Sequence, residues 1–502
     1  MLSSVAFAPA AQAATPARIA PDHQKRAPII DALEFYSTTR TIPFSTPGHK
    51  QGAGLDSGLR KLLGSQFGAA DIWLNTADHD RTVRLAEDLA ARTWGAERSF
   101  FLVNGSSSGN QAFLLANVAP GDEVIVGRDL HQSFLAALIL TGARPVYVAP
   151  RLHPSLQVGL GVTAQDIVSA LDAHPAAKLV ALTSPTYWGV ASNLGEIVAA
   201  ARGRDVTVYV DEAWGPHLGF HPCLPPSAMA SGVDGAVTSP HKLLTGLSQA
   251  ALLNIRGPRV DAARVAGAVK LTQTTSPLMP VLASLDGCRR QMALDGRRLL
   301  ERTIQLAEEA RRALRRLPGI DVLDASSLGI PAEQYDPTRL VIDFQGLGLT
   351  GYVAERLLRE QFQIAPEMSD RAGIVCLVTV GDTPDSIQRL VRAVASLPRC
   401  AMPQRAATCP RVAGEAIAPG EQAMTPREAY FAPSRAVSLA LAVGEVAAEA
   451  VIPYPPGIPV LTPGEVISAV KVDCLREGIA AGMHVRGAAD TTLQTVRVVR
   501  TS

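Results

Sequence analysis

From about residue 95 to residue 255 the chain alternates short β-rich runs with helical ones, and this alternation constrains the fold more than any other feature. "SFFLV" reads as a strand and "GNQAFLLANV" as the helix after it; "DEVIVG" and "HQSFLAALILTG" repeat the pair, and "PVYVAP" adds a strand. "AKLVALTSP", "LGEIVAAARG" and "VTVYVDEA" continue as strand, helix and strand. The pattern predicts βαβ units and a mostly parallel sheet in an α/β fold. Strands of a parallel sheet are covered on both faces, so they need nearly continuous apolar runs.

Beyond this region the pattern changes. Leu300, Ile304, Ala307, Ala310, Leu314 and Leu317 recur at spacings of three and four and predict a long helix over 296–317, ended by "LPG". A smaller α+β pattern follows: "RLVIDF", "TGYVAERLLREQF", "IVCLVTVG" and "TPDSIQRLVRAVASL". Between about Pro398 and Met424 the alternation fails among Pro, Ala, Gly and Cys, as expected of a linker. The sequence therefore divides into an extension (1–27), a large domain (28–290), a small α+β domain (291–398), a linker (399–424) and a C-terminal domain (425–502).

Charge and cysteine usage exclude several classes of function. The 502 residues are 47% hydrophobic and 19% charged, with a net charge of +1, so no global field attracts nucleic acid or an anionic membrane. No apolar run reaches the length of a membrane span. Cys223, Cys288, Cys376, Cys400, Cys409 and Cys474 form no CxxC pair, so no metal site is expected. Scattered cysteines in a chain this long suit reduced thiols and a cytoplasmic protein. "MLSSVAFAPAAQAAT" imitates a signal peptide, but the first basic residue is Arg18 and Pro9 breaks the apolar run, so a disordered extension is expected.

Four features bear on chemistry, and each has an ordinary reading. Asp211 ends the strand "VTVYV", where open α/β sheets bind ligands; it fits a ribose binder, a metal ligand, a helix cap or the partner of a cofactor nitrogen. Asn104-Gly105-Ser106-Ser107-Ser108-Gly109 joins a strand to a helix, either as a serine-rich cap or as an anion site of free N–H groups and hydroxyls. It is neither a Walker loop nor GxGxxG. His131 opens a helix, as a cap or as a flat ring able to cover an aromatic cofactor. Lys242, in the apolar stretch "DGAVTSPHKLLTGLSQAALL", either snorkels to water or is a desolvated nucleophile. Taken in order, the four match the parts that hold pyridoxal phosphate: a phosphate cradle, a ring that stacks, an acid for the pyridinium nitrogen and a Schiff-base lysine.

At these residues the chain resembles the fold type I, pyridoxal-phosphate-dependent ornithine/lysine/arginine decarboxylases, in the shorter branch without an N-terminal wing. The matching pieces include "FSTPGHKQGAG", "LAARTWGAERSFFLVNGSSSGN", "DEAWGPHLGFHPCLPPSAMASGVDGAVTSPHKLLTGLSQAALL" and "YPPGIPVLTPGE". The resemblance implies an aspartate-aminotransferase-like large domain, a small α+β domain and a C-terminal decarboxylase domain. It implies that Lys242 holds the cofactor, Asp211 pairs with its ring nitrogen and His131 stacks on the ring. Ser106, Ser107, Ser239 and His241 would surround the phosphate, Trp214 would lie near the cofactor and Thr186 near the ring hydroxyl. Thr275 or Ser276 of "TQTTSP" would reach a neighbouring subunit's phosphate, because members work as dimers or larger assemblies with shared sites. Gln132, the all-serine cradle and Trp188 depart from the common pattern and bear on substrate identity.

The implied reaction is α-decarboxylation of arginine, lysine or ornithine to the amine, with arginine preferred, and feeds polyamine synthesis. His241 or Lys242 would return the proton to Cα. A cationic substrate side chain needs an acidic or polar partner, for which Glu367 and Asp382 are the candidates. Another pyridoxal-phosphate reaction on the same scaffold and a non-catalytic homologue are the competing readings.

Overall fold

The computed structural model describes residues 21–39, 41–72, 76–400, 414–454 and 457–500. The alternating region forms a seven-stranded sheet of β1 (Arg98–Leu102), β2 (Glu123–Gly127), β3 (Arg144–Val148), β4 (Leu179–Thr183), β5 (Thr207–Glu212), β6 (Gly235–Thr238) and β7 (Ala251–Ile255). Their order is β1-β7-β6-β5-β4-β2-β3. The strands from β6 to β3 pair in parallel. β7 runs antiparallel to both β6 and β1. Every residue of β4, β5, β6 and β7 is buried, which accounts for their mostly apolar character.

The period-two alternation of β5 sorts its side chains between two cores. Tyr209 packs with Phe113 of α1 (Gly105–Asn117) and Phe134 of α2 (Gln132–Thr141) on one face. Val208 and Val210 pack with Ile197 of α3 (Leu194–Arg202) on the other. The chain steps one way from β2 to β3 and then back past β2 to β4. Ligands bind beyond the carboxyl ends of strands at such a reversal. The turn after β2, the end of β5 and the short helix α4 (Pro240–Leu243) after β6 all lie at that edge.

Helix α5 (Met279–Leu314) is longer than the periodicity over 296–317 predicts and crosses the boundary read at 290/291. Its first half, with Met279, Leu282 and Leu285, packs against Trp94 and Leu252 of the large domain. Its second half, with Leu306, Ala310 and Leu314, packs into the small domain. One rigid rod thus serves two cores, and its apolar face changes partner rather than ending. The small domain is an antiparallel sheet of β8 (Asp321–Val322), β9 (Arg339–Asp343), β10 (Met368–Ser369) and β11 (Gly373–Leu377), in the order β8-β9-β11-β10. It carries α6 (Gly351–Phe362) and α7 (Pro384–Cys400).

The C-terminal domain is built from two short ladders, Ser434–Ser438 with Thr495–Val499 and Ile452–Pro453 with Val485–Arg486. Helix Ala469–Ala480 closes its core around Val451, Leu461, Leu475 and Val498.

Two ends differ from expectation. Residues 1–20 lie outside the described residues, but 21–27, read as part of a disordered extension, are placed: Pro21–Gln24 is a helical turn and Ala27 is buried. The cause is Arg289, a buried guanidinium that needs acceptors and finds Gln24 O at 2.8 Å and Gln24 Oε1 at 3.0 Å. Of the predicted linker, 401–413 lies outside the described residues. Residues from 414 on join the C-terminal domain, with Ala416 in its core. No helix among the described residues is long and apolar enough to cross a membrane.

Candidate active site

At the carboxyl edge of the sheet lies a cavity of about 460 Å³. Its wall includes Gly105, Ser106 and Ser107 from the start of α1, His131, and Trp214 from the loop after β5. His241 and Lys242 of α4 complete the large-domain side, while Glu367 and Met368 close it from the small domain. A larger cavity of about 580 Å³ lies between α6 and the C-terminal domain, but the groups with chemistry gather in the smaller one.

Helix α1 starts without a side-chain cap, since Asn104 makes none; the Gly105 N–H donates to Gln249 O at 3.0 Å, and Ser106 and Ser107 of the same first turn line the cavity. The third serine is used up: Ser108 Oγ donates to Gly105 O at 2.9 Å. Ser239 is buried at the start of α4, and its hydroxyl has no hydrogen-bond partner among the described residues. An orphaned buried hydroxyl, an uncapped helix start and a neighbouring cation form a donor set suited to a phosphate group.

Asp211 stands behind the cavity wall. One carboxylate oxygen accepts from Asn110 Nδ2 at 2.8 Å and the other from the Ala213 N–H at 3.0 Å. The Asn110 amide also donates to Ser133 Oγ at 2.8 Å, and its oxygen accepts from the Tyr209 hydroxyl at 2.9 Å. Ser133 lies 2.8 Å from His131 Nδ1, which also accepts the Ser133 N–H at 3.2 Å. A ring nitrogen that accepts twice is unprotonated, so neutral His131 carries its proton on Nε2. Burial pushes His131 below the usual histidine range; Asp211 draws it back up, and Lys242 adds to the lowering.

His241 has the opposite tautomer. Its Nδ1–H donates to Ala250 O at 2.8 Å, which leaves a lone pair on Nε2. Burial lowers its affinity for a proton too, against the bond to Ala250. Lys242 Nζ lies 4.0 Å from the centre of the Trp214 ring. Burial brings its pKa down to about 8; Asp211 and Glu367 oppose the shift and Arg339 reinforces it. An amine so poised is a substantial nucleophile near neutral pH. Trp214 is held from the small domain, where the buried Arg339 donates Nη2 to Trp214 O at 2.6 Å. Arg339 in turn lies near Asp336, which pairs with His217 at 3.0 Å.

The structure thus brings together Ser106, Ser107, His131, Trp214, His241, Lys242 and Glu367, with Asp211 and Ser239 behind them. Thr186 is buried, accepts the Val190 N–H at 3.2 Å and lies behind Tyr187, which lines the cavity in its place. Trp188 faces away, its ring against Gly159. Thr275 and Ser276 are exposed and off the cavity wall.

Asp382 lies off the cavity wall. Its carboxylate accepts the Thr379 N–H at 2.8 Å and the Ser386 hydroxyl at 3.0 Å, bracing the turn before α7. Asn110, Ser133, Gln249 and Tyr454 were not singled out. Asn110 had a legible signal: it falls three and four residues after Ser107 and Ser106, on one helical face.

Comparisons with known proteins fit this geometry. The family described as Orn/Lys/Arg decarboxylase, major domain, matches residues 27–386, and its C-terminal domain matches 413–478. The chain belongs to the Orn/Lys/Arg decarboxylase family. An arginine decarboxylase of Halalkalibacterium halodurans is 39% identical over 95% of this chain and 98% of its own length. The lysine decarboxylase LdcA of Pseudomonas aeruginosa is 27% identical over 87% of this chain and 73% of its own. The crystal structure of the Francisella novicida lysine decarboxylase LdcF superposes with a TM-score of 0.80 at 22% identity, covering 95% of this chain and 82% of that one. The large domain of this decarboxylase has the fold type I architecture, and the alternation between 95 and 255 is its signature.

Proposed function

We propose that the decarboxylase uses pyridoxal phosphate to remove the α-carboxyl group of a basic amino acid, with arginine the preferred substrate. The observation that carries this reading is Lys242 Nζ, lowered to a pKa of about 8, in a cavity between an uncapped helix start and the fixed carboxylate of Asp211. Arginine is preferred because the relative at 39% identity is an arginine decarboxylase, whereas the lysine decarboxylase is at 27%.

When bound, pyridoxal phosphate supplies the electron sink for the pair left by departing CO2. The chain does the rest. The first turn of α1 at Ser106 and Ser107, with Ser239, would hold the phosphate. Asp211 offers its carboxylate to the ring nitrogen; Asn110 and the Ala213 N–H keep it from turning. His131, on the cavity wall, would cover one face of the ring, and Trp214 borders the site. Thr186 remains the proposed partner of the ring hydroxyl. Lys242 would be the residue that holds the cofactor covalently, its amine being unprotonated in good part near neutral pH. His241 Nε2 or Lys242 Nζ returns a proton to Cα.

Glu367 is the one carboxylate among the described lining residues and fits the substrate's distal cation. Burial raises its pKa; Lys242, Arg339 and Arg359 pull it back. Exposed Thr275 and Ser276, with the exposed Phe44, Leu62 and Leu271, suit a homodimer or larger assembly with shared sites, in a cytoplasmic enzyme of polyamine synthesis.

The test is a substrate panel of arginine, lysine and ornithine, read by CO2 and amine, with borohydride fixation of the cofactor. CO2 matched by amine from arginine supports the reading. Amino-group transfer without CO2, or no fixed cofactor on Lys242, rejects it.

A further inference from the structure

His131 ends the turn Arg128-Asp129-Leu130-His131, which joins β2 to α2. Its first residue, Arg128, is fully buried. The Arg128 guanidinium crosses into the C-terminal domain. Nη1 donates to Pro459 O at 2.6 Å, and Nη2 to Val460 O at 3.2 Å and to Glu465 Oε2 at 3.0 Å. Glu465 is also fully buried. Its carboxylate further accepts from Lys471 Nζ, the Thr462 hydroxyl at 3.1 Å, the Thr462 N–H at 3.3 Å and the Gly420 N–H at 2.8 Å. Burial alone would raise the pKa of Glu465; Arg128 and Lys471 more than reverse this and hold it low.

Two cations and one acid out of water are a poor route to stability, since well-packed apolar side chains do as well or better. What such a cluster does well is fix geometry, because each donor has one place to go. The other end of the turn is met by the same domain. Gly457, at φ +92°, faces His131 across a gap that one methyl group would fill: it would lie 3.6 Å from His131 Cδ2 and 3.7 Å from the Tyr187 hydroxyl. The C-terminal domain therefore holds the turn at its first residue by charge and lies beside its last.

We propose that Glu465 is a positioning residue: through Arg128 it sets the turn after β2, and so the plane in which the His131 imidazole is presented to the cavity. What that ring covers rests on the pyridoxal-phosphate reading, but the placement of the turn is a property of the chain without cofactor. The test uses the full chain with Glu465→Gln. Hydrogen–deuterium exchange of amides 129–134 in the cofactor-free protein should quicken roughly tenfold while β4 and β5 keep their protection. In the loaded protein the visible circular dichroism of the bound cofactor should weaken, and kcat should fall more than KM changes. Thr462→Val, which removes one donor and keeps the ion pairs, should move the same readouts less, and it decides the matter if Glu465→Gln does not fold. Faster exchange confined to residues 414–500, with 129–134 and the dichroism as in the parent, would overturn the proposal and leave the cluster as a fastening between domains. A parent chain that binds no cofactor would reject the proposed function, while the exchange comparison would still decide the positioning.

Discussion

Lys242 is a charged group held where charge is disfavoured. Its pKa falls from 10.5 to about 8 on folding, so its protonated form opposes folding fully below pH 8. The opposition fades as pH rises from 8 to 10.5, where the unfolded chain binds the proton and the folded chain does not. Lys242→Met should therefore stabilise the cofactor-free protein at pH 7 by on the order of 2–3 kcal/mol, and urea melts at pH 10 should show most of that gain gone. The same position read by activity should go the other way: Lys242→Ala should lose borohydride-fixed cofactor and roughly 10²–10⁴-fold in turnover. Glu367→Gln should raise KM for arginine by about tenfold or more, with the cofactor spectrum unchanged. Lys242 and Asp211 were legible in the sequence because a lysine in an apolar run and an acid ending a strand both need a reason. Glu367 and Asp382 were indistinguishable there: both are loop acids, and only the fold turns one to the cavity and the other to the start of α7.

Strands and helices explain why the site residues can be so exact in placement. Helix α1 delivers Ser106, Ser107 and Asn110 only because Gly109 lets it lie close to the sheet. A methyl group on Gly109 would come within 2.7 Å of Val237 Cγ2 and 2.8 Å of Leu102 Cδ1. Both neighbours belong to strands, so the helix would have to move. Gly109→Ala should cost roughly 1–3 kcal/mol in a denaturant melt and weaken cofactor binding measured by tryptophan fluorescence. The strands and helices of the large domain were legible because parallel strands and their crossover helices carry distinct periods. The start of α5 was not. Its first half bears Pro280 in the opening turn and polar residues between its apolar ones, so only the segment facing the small domain stood out.

The whole molecule is three domains joined by a shared apolar cluster, which includes Trp214, Val341 and Ile458, and by polar contacts. α5 joins the large and small domains as a rod, Arg339 ties the small domain to Trp214, and the Arg128–Glu465–Lys471 cluster ties the C-terminal domain to the turn before α2. Glu465→Ala, which leaves two buried cations without their acid, should cost about 3–5 kcal/mol in urea denaturation. None of these ties was legible, because Arg128 and Glu465 stand 337 residues apart and no local pattern records such a pairing. That separation has a consequence for how the enzyme is made. A chain leaving the ribosome exposes the whole large domain, Lys242 included, long before Glu465 exists, and domains fold as they emerge. Arg128 meets its acid only when the C-terminal domain has been made. On the proposed positioning role of Glu465, the turn that presents the histidine is therefore fixed only after residue 465 has been made, late in synthesis.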